Sequence, residues 1–118
     1  MSSDTRDIQE QLRRRFAAPL SETPTFHKVG ISQSSLDGVL PLNGLRHPVT
    51  NGVSGWYIYG GLAFSQAPDF FMPMHVSHLK ERCPLALKFL LLPPGWRFLT
   101  DGDYEDIWFD EALLIDGE

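Results

Sequence analysis

Leu92 to Asp110 reads LPPGWRFLTDGDYEDIWFD, and this stretch decides the fold. Pro93-Pro94-Gly95 forces a turn. Trp96 to Thr100 then reads as a strand, because aromatic side chains suit a pleated, half-buried surface. Asp101-Gly102-Asp103 supplies a tight turn, and Tyr104 to Asp110 is the returning strand of a hairpin. Side chains alternate along that strand. Tyr104, Asp106, Trp108 and Asp110 share one face, and Glu105, Ile107 and Phe109 share the other. Ile107 and Phe109 are expected to look into the core, which leaves the face of Tyr104 and Trp108 outside.

Working outward, Val53 to Tyr59 (VSGWYIY) is a second strand, with Trp56 and Ile58 on one face and Tyr57 and Tyr59 on the other. Gly60-Gly61 ends it. Residues 4–18 read as a helix, since Ile8, Leu12 and Phe16 repeat at helical spacing. Asp4 and Asp7 at its start and Arg13, Arg14 and Arg15 near its end suit the helix dipole, and Pro19 stops it. Asp69 to His75 (DFFMPMH) reads as an apolar connection. It leads to a helix from about Val76 to Cys83 and a second one opened by Pro84 and running to about Leu91. Between Ser21 and Gly55 the pattern is weak. Thr25 to Ile31 can form a strand, but Gly38, Pro41, Gly44, Pro48 and Gly52 break up the rest. That part is expected to be loop with one or two short strands, packed by Val39, Leu40, Leu42, Leu45 and Val49. Glu111 to Ile115 is a short element of open type. The sum is an α+β domain over residues 1–118, a small, mostly antiparallel sheet packed by an N-terminal helix and a central helix pair.

Composition narrows the class. The 118 residues are 42% hydrophobic and 21% charged, which suits a globular chain able to bury a core. Cys83 is the single cysteine, so no disulfide framework forms within the chain. The start of the chain is polar and passes directly into the charged helix, unlike a signal peptide. The apolar run from Leu85 to Leu92 contains Lys88 and is far short of the roughly 20 residues of a membrane span. A cytoplasmic protein without a membrane segment is expected. Charge is distributed unevenly. Residues 101–118 carry eight of the fifteen acids and no Lys or Arg, while the first hundred residues hold all ten bases. A net charge of −5 argues against nucleic-acid binding, which needs a concentrated positive face.

Candidate chemical sites are weak when each is set against its plainer reading. His75 and His78 lie three apart with Cys83 beyond, but a zinc site needs three or four ligands, and His27 and His47 fall in unrelated loops. Asp101, Asp103 and Glu105 resemble the opening of a calcium loop, yet Gly102 falls second instead of sixth and Ala112 takes the place of the bidentate Glu. An Asp-Gly hairpin turn accounts for them better. Glu105 and Asp106 point to opposite faces of a strand and cannot share a site. Cys83 and His78 lie roughly 140° apart around a helix, too far for a nucleophilic pair. Gly60-Gly61 and Pro94-Gly95 lack the Lys and Ser/Thr of a phosphate loop. No enzyme, metal or cofactor is expected. Trp56, Trp96 and Trp108 all fall on strands, where core packing is the plainer role. Tyr104 and Trp108 set among Asp106 and Asp110 form the pattern of a contact surface for a basic partner.

Several segments together resemble a bacterial immunity-protein family from polymorphic toxin systems. They are Gly55-Trp56-Tyr57-Ile58-Tyr59-Gly60; Asp69-Phe70-Phe71 with Pro73, His75-Val76 and His78-Leu79; Leu92-Pro93-Pro94-Gly95-Trp96-Arg97-Phe98-Leu99; and Tyr104-Glu105-Asp106-Ile107-Trp108-Phe109-Asp110. The likeness spans about Gly55 to Leu113 and leaves residues 1–50 unmatched. It implies a non-enzymatic protein that binds a cognate toxin and blocks it. Charge, not the likeness, selects the contact set: Asp101, Asp103, Tyr104, Glu105, Asp106, Trp108 and Asp110, facing a basic surface of the toxin. The alternative is a small-ligand-binding or regulatory module with an aromatic pocket built from Trp56, Phe70, Phe71 and Trp96. A homodimer through a sheet edge is a further expectation, since edge strands invite pairing.

Overall fold

The computed structural model describes residues 3–62 and 69–115. Six strands form one sheet: β1 (Lys28–Ser32), β2 (Leu42–Arg46), β3 (Val53–Gly60), β4 (Phe71–His75), β5 (Trp96–Thr100) and β6 (Glu105–Phe109). Their order is β4-β1-β3-β2-β5-β6. Only β1 and β3 run parallel; every other neighbouring pair is antiparallel. The helices are α1 (Ser3–Arg15), α2 (Gln33–Leu36) and α3 (Leu79–Arg82), with 3₁₀ turns at Val76–His78, Pro84–Phe89 and Glu111–Leu114. The architecture is therefore α+β, as the hairpin implied. No helix among the described residues is long and apolar enough to cross a membrane.

Strand alternation sorts the side chains into two layers. On one face Val29, Ile31, Leu42, Trp56, Ile58, Phe98 and Ile107 meet Leu12 of α1, Leu79 of α3, and Cys83, Ala86 and Phe89 around the 3₁₀ turn at Pro84–Phe89. The fully buried members of this layer each contribute on the order of 2 kcal/mol. The Phe89 and Phe98 rings stack at 4.0 Å, nearly parallel. Gly44 makes room for them, because a Cβ there would lie 2.0 Å from the Phe98 ring. On the opposite face Leu45, Tyr59 and Leu113 are buried, with Tyr57, Phe70 and Phe71 packed against them.

Arg46, at the end of β2, is fully buried. Its guanidinium donates to the carbonyl oxygens of Ser54 (2.9 Å), Leu92 (2.9 Å), Glu22 (2.8 Å) and Ser21 (3.4 Å), and to the Ser21 hydroxyl (3.3 Å). It also lies over the Trp56 ring at 5.7 Å. Burial pushes its pKa down to about 10, so it remains charged at neutral pH. One side chain thus fastens the segment after α1 and the approach to β5 onto the sheet centre.

Several expectations need correction. Asp69 to His75 is not a mere connection: Phe71–His75 is an edge strand paired with β1. Pro73 concealed it, yet an edge strand tolerates proline because one side of its backbone needs no partner. The weakly patterned region supplies β1, α2 and β2, and β2 lies between β3 and β5. Of its expected packing residues Leu42 and Leu45 are buried, whereas Val39, Leu40 and Val49 are exposed. The expected strand from Thr25 begins only at Lys28. The central helix pair is shorter than periodicity suggested, because Cys83, at φ −155° and ψ 65°, breaks the helix before Pro84. Phe109 lies half exposed instead of in the core, its ring against Gly95 and 5.8 Å from Trp96.

α1 ends before the expected position. Ala17 adopts a left-handed φ of 53°. Its N–H bonds the Arg14 carbonyl and that of Ala18 bonds the Arg13 carbonyl, the paired closure of a Schellman motif. Glycine is the usual residue there, since a Cβ is strained in that conformation.

Two substitutions of opposite sign test these backbone positions. Ala17→Gly is expected to stabilise the fold by about 0.5–1 kcal/mol through relief of that strain. Gly44→Ala is expected to destabilise it by about 1–3 kcal/mol through overpacking against Phe98. Urea unfolding followed by tryptophan fluorescence measures both, and equal midpoints for the three proteins would count against both assignments.

Candidate partner-binding edge

The hairpin of β5 and β6 forms one margin of the sheet, and its turn is built by side-chain capping. The Asp101 carboxylate accepts from the N–H groups of Tyr104 (2.7 Å) and Asp103 (3.0 Å). Those two N–H groups hold its pKa below the usual carboxylate range. Gly102 takes φ 102°, a left-handed value that the tight turn requires. The Thr100 hydroxyl closes the base of the turn by donating to the Tyr104 carbonyl at 2.8 Å.

The alternation read from the sequence divides the seven expected contact residues between two environments. Glu105 points to the helical layer and pairs with Lys88 and, at 3.8 Å, with Arg15. Its charge ties β6 to α1 and the 3₁₀ turn at Pro84–Phe89. Asp110 pairs with Arg97 at 3.1 Å, and its other oxygen accepts from the Ala112 N–H at 3.1 Å, capping the final 3₁₀ turn. Trp108 is half-buried, with the Arg97 guanidinium 5.5 Å over its ring. Asp101 is occupied with the turn. Asp103 and Asp106 are exposed and have no ion-pair partner among the described residues, and Tyr104 is 58% exposed. Of the five acids in that set, Asp103 and Asp106 are thus the two that are exposed without an internal side-chain partner among the described residues, and Tyr104 lies between them in sequence. Asp116 and Glu118 of the acidic tail lie outside the described residues.

The other candidates lie apart from this edge. His75 and His78 have ring centroids 6.1 Å apart and line a shallow 330 Å³ cavity with Lys28, Pro73 and Met74. Cys83 is buried elsewhere, and burial pushes its thiol pKa up. Among the described residues no three His, Cys, Asp or Glu side chains are grouped as a metal would need. The four aromatics of the expected pocket do not converge. Trp56 is sealed in the helical layer against Phe98, Trp96 borders that layer next to Phe16, and Phe70 and Phe71 lie on the other side of the sheet.

Sequence reasoning missed two features near the sheet centre. One is Arg46, which falls in the weakly patterned stretch where β2 was not legible. The other is a chain of edge-to-face rings, His47 with Tyr57 at 5.5 Å, Tyr57 with Phe71 at 5.1 Å and Phe71 with Phe70 at 4.8 Å. Gly30 was its signal, since a Cβ there would lie 2.6 Å from the Tyr57 ring.

A family model described as an Imm33-like domain matches residues 8–110. No curated protein and no solved structure matches the chain. The match starts far ahead of Gly55 and takes in most of the stretch that the resemblance left out, including the later part of α1 and all of β1 and β2. Its name is that of an immunity-protein family, in agreement with the coarser part of that resemblance. The chain belongs to the Imm33-like domain family.

Proposed function

We propose that this chain is a cytoplasmic immunity protein that binds a cognate bacterial toxin one to one and blocks it without performing chemistry. The family match over residues 8–110 carries this reading. The contact surface is the acidic hairpin and edge strand β6, with Asp103 and Asp106 as the charges free to meet a basic toxin surface, Tyr104 as the exposed aromatic, and Trp108 with its stacked Arg97 beside them. Asp101, Glu105 and Asp110 shape that surface from behind, through the turn, the ion pairs to the helical layer and the final 3₁₀ cap. Aromatic anchors next to uncompensated charge suit a protein contact better than a small-ligand pocket, because the residues expected for the pocket are divided between two sides of the sheet.

Charge of one sign at a contact acts mainly on the rate of encounter and is screened by salt. Co-purification of the tagged protein from its native host is the first test, with one toxin held at equal stoichiometry as the expected result. With that toxin in hand, replacing both residues, Asp103→Lys and Asp106→Lys, is expected to slow association by about tenfold or more at low salt, with folding unchanged. An unaltered association rate in a folded double variant would remove the acidic edge from the contact. Glu105→Gln separates the two roles of the hairpin. It is expected to lower stability by about 0.5–1 kcal/mol, through loss of its ion pairs, and to leave association unchanged. Urea denaturation and stopped-flow binding read the two effects, and slower association in Glu105→Gln would mean that its carboxylate touches the toxin.

A further inference from the structure

The two margins of the sheet are not equivalent. The N–H of Asp110 bonds the Gly95 carbonyl at 2.7 Å, and β5 and β6 pair Arg97 with Trp108 and Leu99 with Asp106. In an antiparallel ladder of that phase, the backbone groups of Asp106 and Trp108 point inward to β5. Those of Glu105, Ile107 and Phe109 point outward, and no partner takes them among the described residues. At the opposite margin the Val76 N–H bonds the His27 carbonyl, which places Phe71, Pro73 and His75 at the outward positions of β4. Pro73 there has no N–H to offer, so that margin is interrupted at its middle. β6 has an unbroken row of three donors and three acceptors.

We propose that the partner docks by adding an extended segment of its own to β6 as a seventh strand, and that this segment alternates basic and apolar residues. The inference rests on the immunity reading and names the form of the partner surface. The alternation follows from the two sides of β6. On one side an added strand meets Asp106, which accepts a Lys or Arg through charge-assisted hydrogen bonding, next to the half-buried Trp108 ring over which Arg97 already lies. On the other side it meets Ile107 and the half-exposed Phe109, which accept an apolar residue. Asp106 and Trp108 would occupy the non-hydrogen-bonded positions of the new ladder, where side chains across strands approach most closely. A second copy of this chain fits poorly. Antiparallel pairing of two β6 strands about Ile107 would set Asp106 opposite Trp108 and Glu105 opposite Phe109 of the other copy, so neither acid of the strand would meet a base, and each chain carries a net charge of −5.

Amide hydrogen exchange by NMR on the full chain tests this, with a short peptide of alternating Lys and Val as probe and one of alternating Glu and Val as control. In the free chain Glu105, Ile107 and Phe109 are expected to exchange faster than Asp106 and Trp108. With the Lys peptide, exchange at those three amides is expected to slow by about tenfold or more. Phe71 and His75 should not change, the Glu peptide should have no effect, and Asp106→Lys should abolish the slowing. Unchanged exchange at the three amides, or slowing centred on Tyr57 and Phe71, overturns the proposal. Slowing that grows with protein concentration in the absence of peptide assigns the edge to a second copy and also overturns it. A captured toxin that binds one to one without slowing these amides refutes the added strand and leaves the immunity reading intact. Slowing by the Lys peptide in a chain that captures no toxin refutes the immunity reading and leaves the edge intact.

Discussion

The fold depends on one buried charge. Arg46 has no carboxylate beside it among the described residues, and its guanidinium is balanced by backbone dipoles from three separate parts of the chain. Each hydrogen bond to a charged donor is worth more than a neutral one, and each acceptor left empty in the interior would cost on the order of 1–3 kcal/mol. Arginine suits the position because its planar fork serves several carbonyls at once while its face rests on Trp56. The Ser21-Glu22 segment and the approach to β5 are irregular, and without this hub nothing periodic would hold them to the sheet. The Thr23 hydroxyl adds to the same junction by accepting from the Trp56 indole at 3.1 Å and donating to the Leu90 carbonyl.

Around that hub, missing side chains matter as much as those present. Gly44 opens the floor of the helical layer for Phe98, and Gly30 opens the opposite face for Tyr57. Each aromatic ring thereby lies flat on a strand next to its own. The core can then be filled from two sides of a thin sheet by a chain of modest length. Trp56 and Ile58 are consumed by the interior, whereas β6, at the margin, has one side of its backbone unpaired among the described residues and part of its surface exposed.

How far the sequence could be read follows from these same residues. The hairpin was legible because an Asp-Gly turn between two aromatic strands suits little besides a hairpin, and VSGWYIY was legible because its residues have a single strong preference. β2 was not legible, because Leu-Asn-Gly-Leu-Arg carries a glycine whose purpose is visible only once Phe98 lies over it. β4 was masked by Pro73, whose meaning depends on knowing which strand is at the edge. The acidic cluster was legible as composition but not as geometry. Asp101, Glu105 and Asp110 turned out to have internal partners, and contacts with Lys88 and Arg97 cannot be inferred from spacing along the chain. Ala17 gave no signal, since alanine is the strongest helix former and glycine is the usual residue in that left-handed position.

Pro73 has a consequence for the size of any assembly. A sheet with two open margins can be lengthened without limit, each added chain offering a fresh edge to the next. Here one margin is interrupted by a residue that cannot donate, which leaves β6 as the continuous edge. Edge-to-edge growth by repetition of this chain therefore lacks a second continuous edge, and pairing along β6 alone would join two sheets and no more.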